Sequence, residues 1–314
     1  MGGVFCYFHK YNTRDYEHKG FFPLPILKPI WERKTETDQV LKIGIITDTH
    51  VHPNRVNREN WADDAPRVLR SKNLIPFQKF NAQMKNFNPN MVMHLGDVIE
   101  GTHELAVVGI MGVKLVAEEL KKSSVPVYWM VGNHDLRSMT KEQFRQALQI
   151  DDLDQVIDRD DYRLIFLDAS YYNKGGDITP EKNYVPGYLP SHSLIWLEKK
   201  LQTEKRVFIF MHQAPFSRDM WEEETITKTP IKNVSELNKL LEKYNVEAIF
   251  NGHIETKFYG EKNGVEYYSL VGTKKNKLYP YSYYELTIQG AETQVKMFYT
   301  EAESGKEKSV NFEN

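Results

Sequence analysis

Hydrophobic residues along this chain occur in short runs rich in β-branched residues, separated by longer segments in which apolar positions recur with helical spacing. Six runs predict buried strands, at residues 41–47, 91–95, 125–131, 162–169, 206–211 and 246–251. Five intervening segments predict helices, at residues 77–87, 103–122, 141–148, 191–202 and 233–244. Asn233, followed by Glu236, is typical of a helix start. Alternating strands and helices indicate an α/β domain.

The last part of the chain has a different pattern. Four strand-like segments, at residues 255–260, 265–271, 281–288 and 292–299, alternate with turn sequences such as Asn263-Gly264 and Gln289-Gly290. This pattern predicts a β-meander that extends a second sheet. We therefore interpret residues 40–300 as one domain and residues 301–314 as a C-terminal tail.

The first 39 residues show neither a helical nor a strand period. Pro23, Pro25 and Pro29 disfavour helices and central strands, so residues 1–39 predict an extended arm. The arm is also rich in aromatic residues, and that much apolar area normally covers a surface. It is expected to pack against the main domain or, alternatively, to contact a partner or act as a lid.

Composition and charge narrow the class of protein. The chain has 314 residues, 40% of them hydrophobic and 27% charged, and its formal net charge of −2 gives no overall basic field for nucleic acid or an anionic membrane. Cys6 is the single cysteine, which excludes an intrachain disulfide and a cysteine-based metal cluster. No stretch approaches the roughly 18 apolar residues that a membrane span needs. The first residues lack the features of a signal peptide, so the expected location is cytoplasmic.

Polar residues follow five of the six predicted strands at the point where each strand ends. They are Asp48-Thr49-His50, Gly96-Asp97, Gly132-Asn133-His134-Asp135, His212, and Gly252-His253-Ile254-Glu255. A single histidine at a strand end is more often a hydrogen-bonded core or surface residue. Ligand-type residues at five strand ends favour instead a shared site, because α/β proteins place their sites where strands end.

The order of these motifs resembles the calcineurin-like metallophosphoesterases. That family's pattern is Asp-Xaa-His, Gly-Asp-Xaa-Xaa-acid, Gly-Asn-His-acid, a lone His and Gly-His-Xaa-His, and here Glu100 is the acid that follows Gly96-Asp97. The resemblance runs from about residue 41 to residue 271. It implies an α/β fold, a four-layer α/β/β/α sandwich of two mixed sheets flanked by helices, and metal-dependent hydrolysis of a phosphate ester.

The resemblance also implies two metal ions, which would be Mn, Fe or Zn. Two cations neutralise the phosphate oxygens and lower the pKa of a water between them. In the family's pattern the first metal would bind Asp48 and His50, Asp97 would bridge, and the second metal would bind the last three ligands, Asn133, His212 and His253.

Glu255 departs from the family's pattern, because the family has a second histidine at this position. A glutamate can still bind the first metal, and as an oxygen donor it favours harder ions such as Mn²⁺, which makes manganese the favoured metal. The alternative is that Glu255 points away and leaves the first site weak or empty.

The residues around His134 have non-ligand roles in the resemblance. His134 would contact the phosphate and act as general acid, with Asp135 orienting its imidazole and Asn133 also facing the substrate. Arg137 is close enough in sequence to clamp a phosphate, with a solvated arginine as the simpler alternative. Glu100 is expected to support the site rather than bind metal.

For a few further residues, position in the sequence alone gives an expectation. His94 lies within a strand and is expected to be a core residue, and His52 is more simply a surface histidine. Tyr171, Tyr172, Trp61 and Trp221 lie on loops near the expected site mouth, where some of them would stack on a base or line an apolar pocket.

Three functions remain in competition. The leading hypothesis is hydrolysis of a small-molecule phosphomonoester or phosphodiester by a metal-activated hydroxide. A nuclease is the second, although the acidic balance and the lack of a basic stripe oppose it and make nucleic acid an unexpected partner. The third is a non-catalytic interaction module with a degenerate metal site, which Glu255 supports and the intact His134 opposes. The sequence leaves the oligomeric state open.

Overall fold

A computed structural model describes residues 40–52, 71–101, 105–172, 175–180, 186–217, 220, 230–274 and 276–313 of the chain. The predicted arm at residues 1–39 lies outside these ranges, as do Trp61 and Trp221. The expectations for them stay predictions.

The residues that the structure describes form two sheets of six strands each, and the first sheet has the order β12-β11-β10-β1-β2-β3. Its strands are β1 Val40–Ile46, β2 Met91–His94, β3 Val127–Trp129, β10 Tyr283–Gln289, β11 Glu292–Thr300 and β12 Glu307–Asn311. The strands β1, β2 and β3 run parallel, whereas β10 pairs antiparallel with β1 and continues into an antiparallel hairpin series.

The second sheet also has six strands, in the order β4-β5-β6-β7-β9-β8. They are β4 Gln155–Arg159, β5 Tyr162–Leu167, β6 Arg206–Met211, β7 Val246–Asn251, β8 Phe258–Lys262 and β9 Val265–Ser269. The four inner strands are parallel, and the outer strands β4 and β8 are antiparallel to their neighbours. Both sheets are therefore mixed, as expected.

Five α-helices in the described part of the chain cover the outer faces of the two sheets. They are α1 Ser71–Phe87, α2 Ala106–Lys121, α3 Lys141–Leu148, α4 Ser191–Leu201 and α5 Val234–Lys243. Buried residues of α1, α2 and α3 share a core with the outer face of the first sheet, and those of α4 and α5 share one with the second. The predicted α/β/β/α layers are confirmed. The helix α1 starts earlier than predicted and contains Pro76.

A third core lies between the two sheets, and aromatic rings dominate its half on the second sheet. Phe166, Phe210, Phe250 and Tyr268 stand directly opposite one another on β5, β6, β7 and β9. Successive ring centroids are 5.7, 5.1 and 4.7 Å apart. Each such pair adds about 0.5–1.5 kcal/mol beyond area burial. A register slip by one residue would turn these rings out of the core, so the ladder fixes the parallel alignment on which the strand ends depend.

The C-terminal part differs from the sequence prediction in two ways. The predicted single meander is wrong, because β8 and β9 extend the second sheet while β10 and β11 belong to the first. The predicted tail is also wrong, because β12 pairs with β11 and Phe312 is buried in the core between the sheets. A meander pattern records turns and alternation but carries no information on which sheet receives each hairpin.

None of the helices in the described part of the chain combines the length and the apolar character needed to cross a membrane.

Candidate metal centre

The carboxyl ends of strands from both sheets meet at one place. Asp48 and His50 follow β1, Asp97 follows β2, His212 follows β6 and His253 follows β7, and all five side chains are buried. His50 Nε2 lies 3.7 Å from Asp48 Oδ1 and 3.8 Å from Asp97 Oδ2. His212 Nε2, from the other sheet, lies 3.3 Å from Asp97 Oδ1. The strand-end residues singled out in the sequence are therefore neighbours in space.

The backbone at these strand ends adopts conformations that side-chain-bearing residues rarely use. Five non-glycine residues of the cluster have a left-handed φ between 42° and 66°, namely Asp48, His50, Asp97, His253 and Glu255. Such conformations cost on the order of 1–3 kcal/mol each and concentrate at functional sites. Backbone hydrogen bonds hold two of them, from Asp48 N to Gly96 O at 3.0 Å and from His50 N to Asp97 O at 3.0 Å.

Glycines permit the close approach of the strand ends. A Cβ on Gly132 would lie 2.8 Å from the carboxylate carbon of Asp97 and closer still to its Oδ1. A Cβ on Gly252 would collide with the carboxylate of Asp48 in the same way. Gly96 has a φ of +93°, a turn conformation that glycine adopts without strain. At Gly132 and Gly252, glycine is needed because a side chain would have no space beside the neighbouring carboxylate.

The first group of ligand-type side chains contains Asp48, His50 and Glu255, whose ligand atoms lie within 4.8 Å of one another. Glu255 Oε1 is 3.2 Å from His50 Nε2, so the carboxylate points into the cluster and not away from it. Its backbone oxygen accepts a hydrogen bond from Asn276 Nδ2 at 3.0 Å.

The second group contains Asp97, His212 and His253, which meet the same distance limit. The His212 ring donates from Nδ1 to the Leu95 carbonyl at 2.7 Å, so Nε2 carries the lone pair in the neutral ring. His253 lies against His212, with ring centroids 5.1 Å apart.

Asn133 is buried, and neither its amide oxygen nor its amide nitrogen has a hydrogen-bond partner within the described part of the chain. A buried polar group left unsatisfied costs about 1–3 kcal/mol. A metal ion bound by the carbonyl oxygen would remove this cost for the oxygen. The donor set of carboxylates, imidazoles and one amide is the kind that Mn, Fe and Zn accept, so the residues present fit a pair of such ions.

Burial and charge pairing together set the protonation of the cluster. Burial raises the pKa of Asp48. Burial would also raise the pKa of Asp97, but the imidazoles of His212 and His134 hold it well below its usual range. Burial would lower the pKa of His212, yet Asp97 and then Asp48 raise it to about 9. A cation that binds here takes the place of a proton on His212, because only the deprotonated ring nitrogen can ligate.

Glu100 lies behind His50. Its Oε2 is 3.3 Å from His50 Nδ1, on the opposite side of the ring from the Nε2 that faces the carboxylates. A carboxylate in this position fixes the orientation of a ligating histidine. Glu100, His50 and His134 also satisfy the distance limit for an ion. However, His134 Nδ1 donates to the Glu100 carbonyl at 2.7 Å, so it has no lone pair for a metal.

His134 is partly exposed, with 14% of its side-chain surface accessible, and its Nε2 lies 3.9 Å from Asp97 Oδ2. Its backbone N–H donates to Asp97 Oδ1 at 2.8 Å. Burial is the main cause that lowers the pKa of His134, to about 4. Arg137 Nη1 lies 2.9 Å from His134 Nδ1, which places a guanidinium beside the ring.

The expected contact between Asp135 and the His134 imidazole is not the one that forms. Asp135 Oδ1 accepts a hydrogen bond from Ile99 N at 3.1 Å, and Oδ2 accepts one from Gly132 N at 2.9 Å. The Glu100 carbonyl takes the place expected for Asp135 at the ring. Asp135 instead ties the segment after β2 to the segment after β3, and burial raises its pKa to about 7.

His94 is a core residue, as expected, and it connects two of the strand ends. Its Nδ1 accepts from Gly96 N at 3.2 Å, and its Nε2 lies 3.0 Å from Thr49 Oγ1, which donates to Val98 O at 2.8 Å. Because an accepting Nδ1 leaves the proton on Nε2, the ring donates to Thr49.

The other residues considered from the sequence, His52, Tyr171 and Tyr172, are not part of the two ligand groups. His52 is exposed. Tyr171 packs its ring under the Lys141 ammonium, 3.1 Å from the ring centroid, and against the ring of His192. Tyr172 packs against the core beneath the helices of the first sheet. Lys274 is not among the residues predicted from the sequence, although its ammonium donates to the His50 backbone carbonyl. No motif includes Lys274, because it lies beyond Gly252-His253, the last motif that resembles the family's pattern.

Comparison with known proteins gives consistent matches. The sequence profile of the calcineurin-like phosphoesterases matches residues 41–255. A probable glycerophosphodiester phosphodiesterase, GpdQ, of Arcobacter nitrofigilis is 34% identical over 133 residues, covering 40% of this chain and 42% of that protein. The 3',5'-cyclic adenosine monophosphate phosphodiesterase CpdA of Haemophilus influenzae is 22% identical over 234 residues, covering 72% of this chain and 74% of that protein. The chain thus matches less than half the length of the first of these relatives.

A solved structure shares the fold. The dimetal phosphatase from Danio rerio superposes with a TM-score of 0.61 at 16% sequence identity, covering 87% of this chain and 99% of that chain.

Proposed function

Because the chain belongs to the calcineurin-like phosphoesterase family, we propose that it is a metal-dependent hydrolase of small-molecule phosphate esters. The observation that carries the proposal is the meeting of two ligand groups, Asp48–His50–Glu255 and Asp97–His212–His253, at one edge shared by two sheets. His50 Nε2 and Asp97 Oδ2 are 3.8 Å apart, so the two groups adjoin. Adjoining ligand groups are what a dinuclear centre requires.

The residues divide between two ions as follows. Asp48, His50 and Glu255 would hold the first ion, and Asn133, His212 and His253 the second. Asp97, whose Oδ2 faces His50 and whose Oδ1 faces His212, would bridge the two ions. When bound, two cations neutralise phosphate charge and lower the pKa of water. Manganese remains the favoured metal, because Glu255 adds an oxygen donor to the first group.

His134 is the proposed general acid. The bond from its Nδ1 to the Glu100 carbonyl fixes the ring so that Nε2 faces the cluster, 3.9 Å from Asp97 Oδ2. Because Nδ1 already carries a proton, Nε2 carries one only in the imidazolium form, which an adjacent anionic phosphate favours. As the bond between phosphorus and the leaving oxygen breaks, the Nε2 proton would pass to the leaving oxygen. Arg137, beside the same ring, would bind a phosphate oxygen through its guanidinium.

Among phosphate esters, small phosphodiesters are the favoured substrate class. Both relatives found by sequence carry phosphodiesterase names, one for glycerophosphodiesters and one for a cyclic nucleotide. A nuclease is less favoured because the net charge is −2. An interaction module with a degenerate site is less favoured because Glu255 points into the cluster and His134 is in place.

The test combines metal content with an activity panel. The purified protein is analysed for bound metals, loaded with Mn²⁺, and assayed on bis(p-nitrophenyl) phosphate, p-nitrophenyl phosphate and single-stranded DNA. Hydrolysis of the small esters, with at most weak cleavage of DNA, is the expected result.

Asp97→Asn is the paired control for this panel. It should retain the circular dichroism spectrum of the wild type and lose nearly all hydrolysis, because an amide cannot bridge two cations as a carboxylate does. A wild-type rate in this variant at unchanged metal content, or no hydrolysis by the wild type with Mn, Fe or Zn, would overturn the proposed function.

A further inference from the structure

The strand β5 is the one among the six predicted strands whose end carries no ligand motif. Ser170 follows this strand and is fully buried. Its Oγ donates to the Val131 carbonyl at 3.1 Å and accepts from Gln213 Nε2 at 2.7 Å. Gln213 adjoins His212 in the chain, and Val131 lies two residues before Asn133. Ser170 therefore connects the segments that carry two candidate ligands of the second ion.

The Ser170 hydroxyl is the central link of this connection. A hydroxyl has one proton to donate, which goes to Val131, and lone pairs to accept, one of which takes the Gln213 amide. Gln213 is fully buried, and its Oε1 has no hydrogen-bond partner among the residues that the structure describes. The polar contact that orients the amide is therefore its bond to Ser170. Removing the hydroxyl would break both bonds at once.

Two further contacts hold Ser170 in place. Its backbone N–H donates to Asp168 Oδ1 at 2.8 Å, and Asp168 Oδ2 lies 2.6 Å from Lys141 Nζ. Both members of this ion pair are buried, so salt screens it little. Lys141 begins α3, which packs on the first sheet, whereas Asp168 follows β5 of the second sheet. Ser170 is thus attached to both halves of the sandwich.

We propose that Ser170 is a positioning residue, and that its hydroxyl sets the separation of His212 and Asn133 for the second ion. The inference rests on the proposed function, which requires that ion. His212 follows a strand of the second sheet and Asn133 one of the first, so hydrogen bonds within either sheet do not fix their separation. The His212 ring is tied to the end of β2 through Leu95. The bonds of Ser170 add a second fixed point, at the end of β3.

The expected effect is on the affinity of one ion. Outer partners that hold metal ligands in place typically contribute about 10–100-fold in metal affinity. Ser170 acts through the residue beside His212 and through the segment before Asn133, so we expect the lower end of this range. The first ion should keep its affinity, because the connection begins and ends at segments that carry ligands of the second ion.

The experiment measures each ion separately. Mn²⁺ is titrated by calorimetry into chelator-treated wild type and variants. Asn133→Ala identifies the binding event of the second ion, and Glu255→Ala identifies that of the first. Ser170→Ala removes the central hydroxyl. Gln213→Met breaks the same connection at one end while keeping a side chain of similar length.

Ser282→Ala is the matched control. Ser282 is also a fully buried serine, and its Oγ also donates to a main-chain carbonyl, that of Val271, at 3.0 Å. This bond lies in the connection between β9 and β10 and involves neither His212 nor Asn133. Circular dichroism and Tm of each variant are recorded alongside the titrations.

Ser170→Ala should weaken the binding event of the second ion about 10-fold and leave that of the first unchanged. Gln213→Met should weaken the same event. The double variant should lose no more than Ser170→Ala alone, because removing the hydroxyl already breaks the bond to Gln213. Ser282→Ala should bind the second ion as the wild type does. If Ser170→Ala does not fold, Gln213→Met decides by the same criterion.

Four results would overturn the inference. They are an unchanged second event in Ser170→Ala, an equal weakening of both events or of the second event in Ser282→Ala, additive losses in the double variant, and a wild type that binds a single ion. Failure of the proposed function is distinct, because the wild type would then bind two ions and hydrolyse none of the esters. The titrations would still test Ser170 in that case.

Discussion

At the scale of single residues, Glu255 departs most clearly from the motif pattern. Its backbone is held at φ +52°, and its Oε1 lies 3.2 Å from His50 Nε2. We expect Glu255→Ala to weaken one of two Mn²⁺ binding events. Glu255→His should shift the preference toward Zn²⁺, because imidazole is a softer donor than carboxylate.

Titration calorimetry with Mn²⁺ and Zn²⁺ on the three proteins checks the Glu255 prediction. Identical isotherms for wild type and Glu255→Ala would show that the carboxylate is not a ligand. In that case the first ion would have only Asp48, His50 and the bridging Asp97.

His134 permits a prediction on leaving groups. His134→Ala should keep its bound metals and lose about 10²–10⁴-fold in kcat on an ester with a poor leaving group, the usual contribution of general acid catalysis. The loss should be much smaller on a nitrophenyl ester, whose leaving oxygen needs no proton. The measurement is kcat of wild type and variant on an alkyl and a nitrophenyl ester of the same phosphate. Equal losses on both would assign His134 to binding of the phosphate.

At the scale of elements, the segments that follow the strands hold the cluster together. The His94 ring connects the turn after β1 with the turn after β2 through Thr49 and Gly96. Asp135 connects the segments after β2 and β3 through Ile99 and Gly132. The candidate ligand residues with left-handed backbone conformations depend on this network, because a strained conformation persists only where its surroundings fix it.

Gly132 tests the close approach between these segments. An added Cβ meets the Asp97 carboxylate, so Gly132→Ala should displace the bridging group, weaken metal binding and lower kcat at least 10-fold. Gly176→Ala is the control, because a Cβ there meets nothing within 4 Å. Metal affinity and kcat of the two variants are compared with those of the wild type. Wild-type metal affinity in Gly132→Ala would mean that the segment relaxes without moving Asp97.

At the scale of the whole molecule, the candidate ligands come from both sheets. Asp48, Asp97 and Asn133 follow strands of the first sheet, and His212 and His253 follow strands of the second. Bound ions would therefore connect the two halves of the sandwich in addition to the aromatic core between them.

Metal loading should accordingly raise the thermal stability of the folded chain. A ligand that binds only the native state, present at a concentration 100 times its Kd, raises the free energy of unfolding by about 2.7 kcal/mol. We expect a rise of several degrees in Tm on addition of Mn²⁺ to chelator-treated protein, and a smaller rise for Asp97→Asn. Differential scanning calorimetry at matched protein concentration gives the comparison. An equal rise in both proteins would place the stabilising ion outside this cluster.

The sequence by itself determined the elements and the ligand types. The period of apolar positions reflects local burial, so it located the six predicted strands and the five predicted helices to within a few residues, apart from the earlier start of α1. The short β4 was missed, because its residues are half-exposed and polar. The strand-end motifs were also readable, because carboxylates, imidazoles and glycines at five strand ends are a chemical pattern that does not depend on the sheet order.

Only the tertiary structure decided which groups face one another. Asn233 has the sequence of a helix cap, yet its side chain bonds to the backbone of Leu189 at 3.0 and 2.7 Å. Asp135 bonds to backbone amides, β10 to β12 join the first sheet, and Lys274 reaches His50 from 224 residues away. Each of these outcomes depends on contacts between segments distant in sequence. A local pattern constrains the conformation of a segment but not its partner, since the partner is selected by the packing of the whole sandwich.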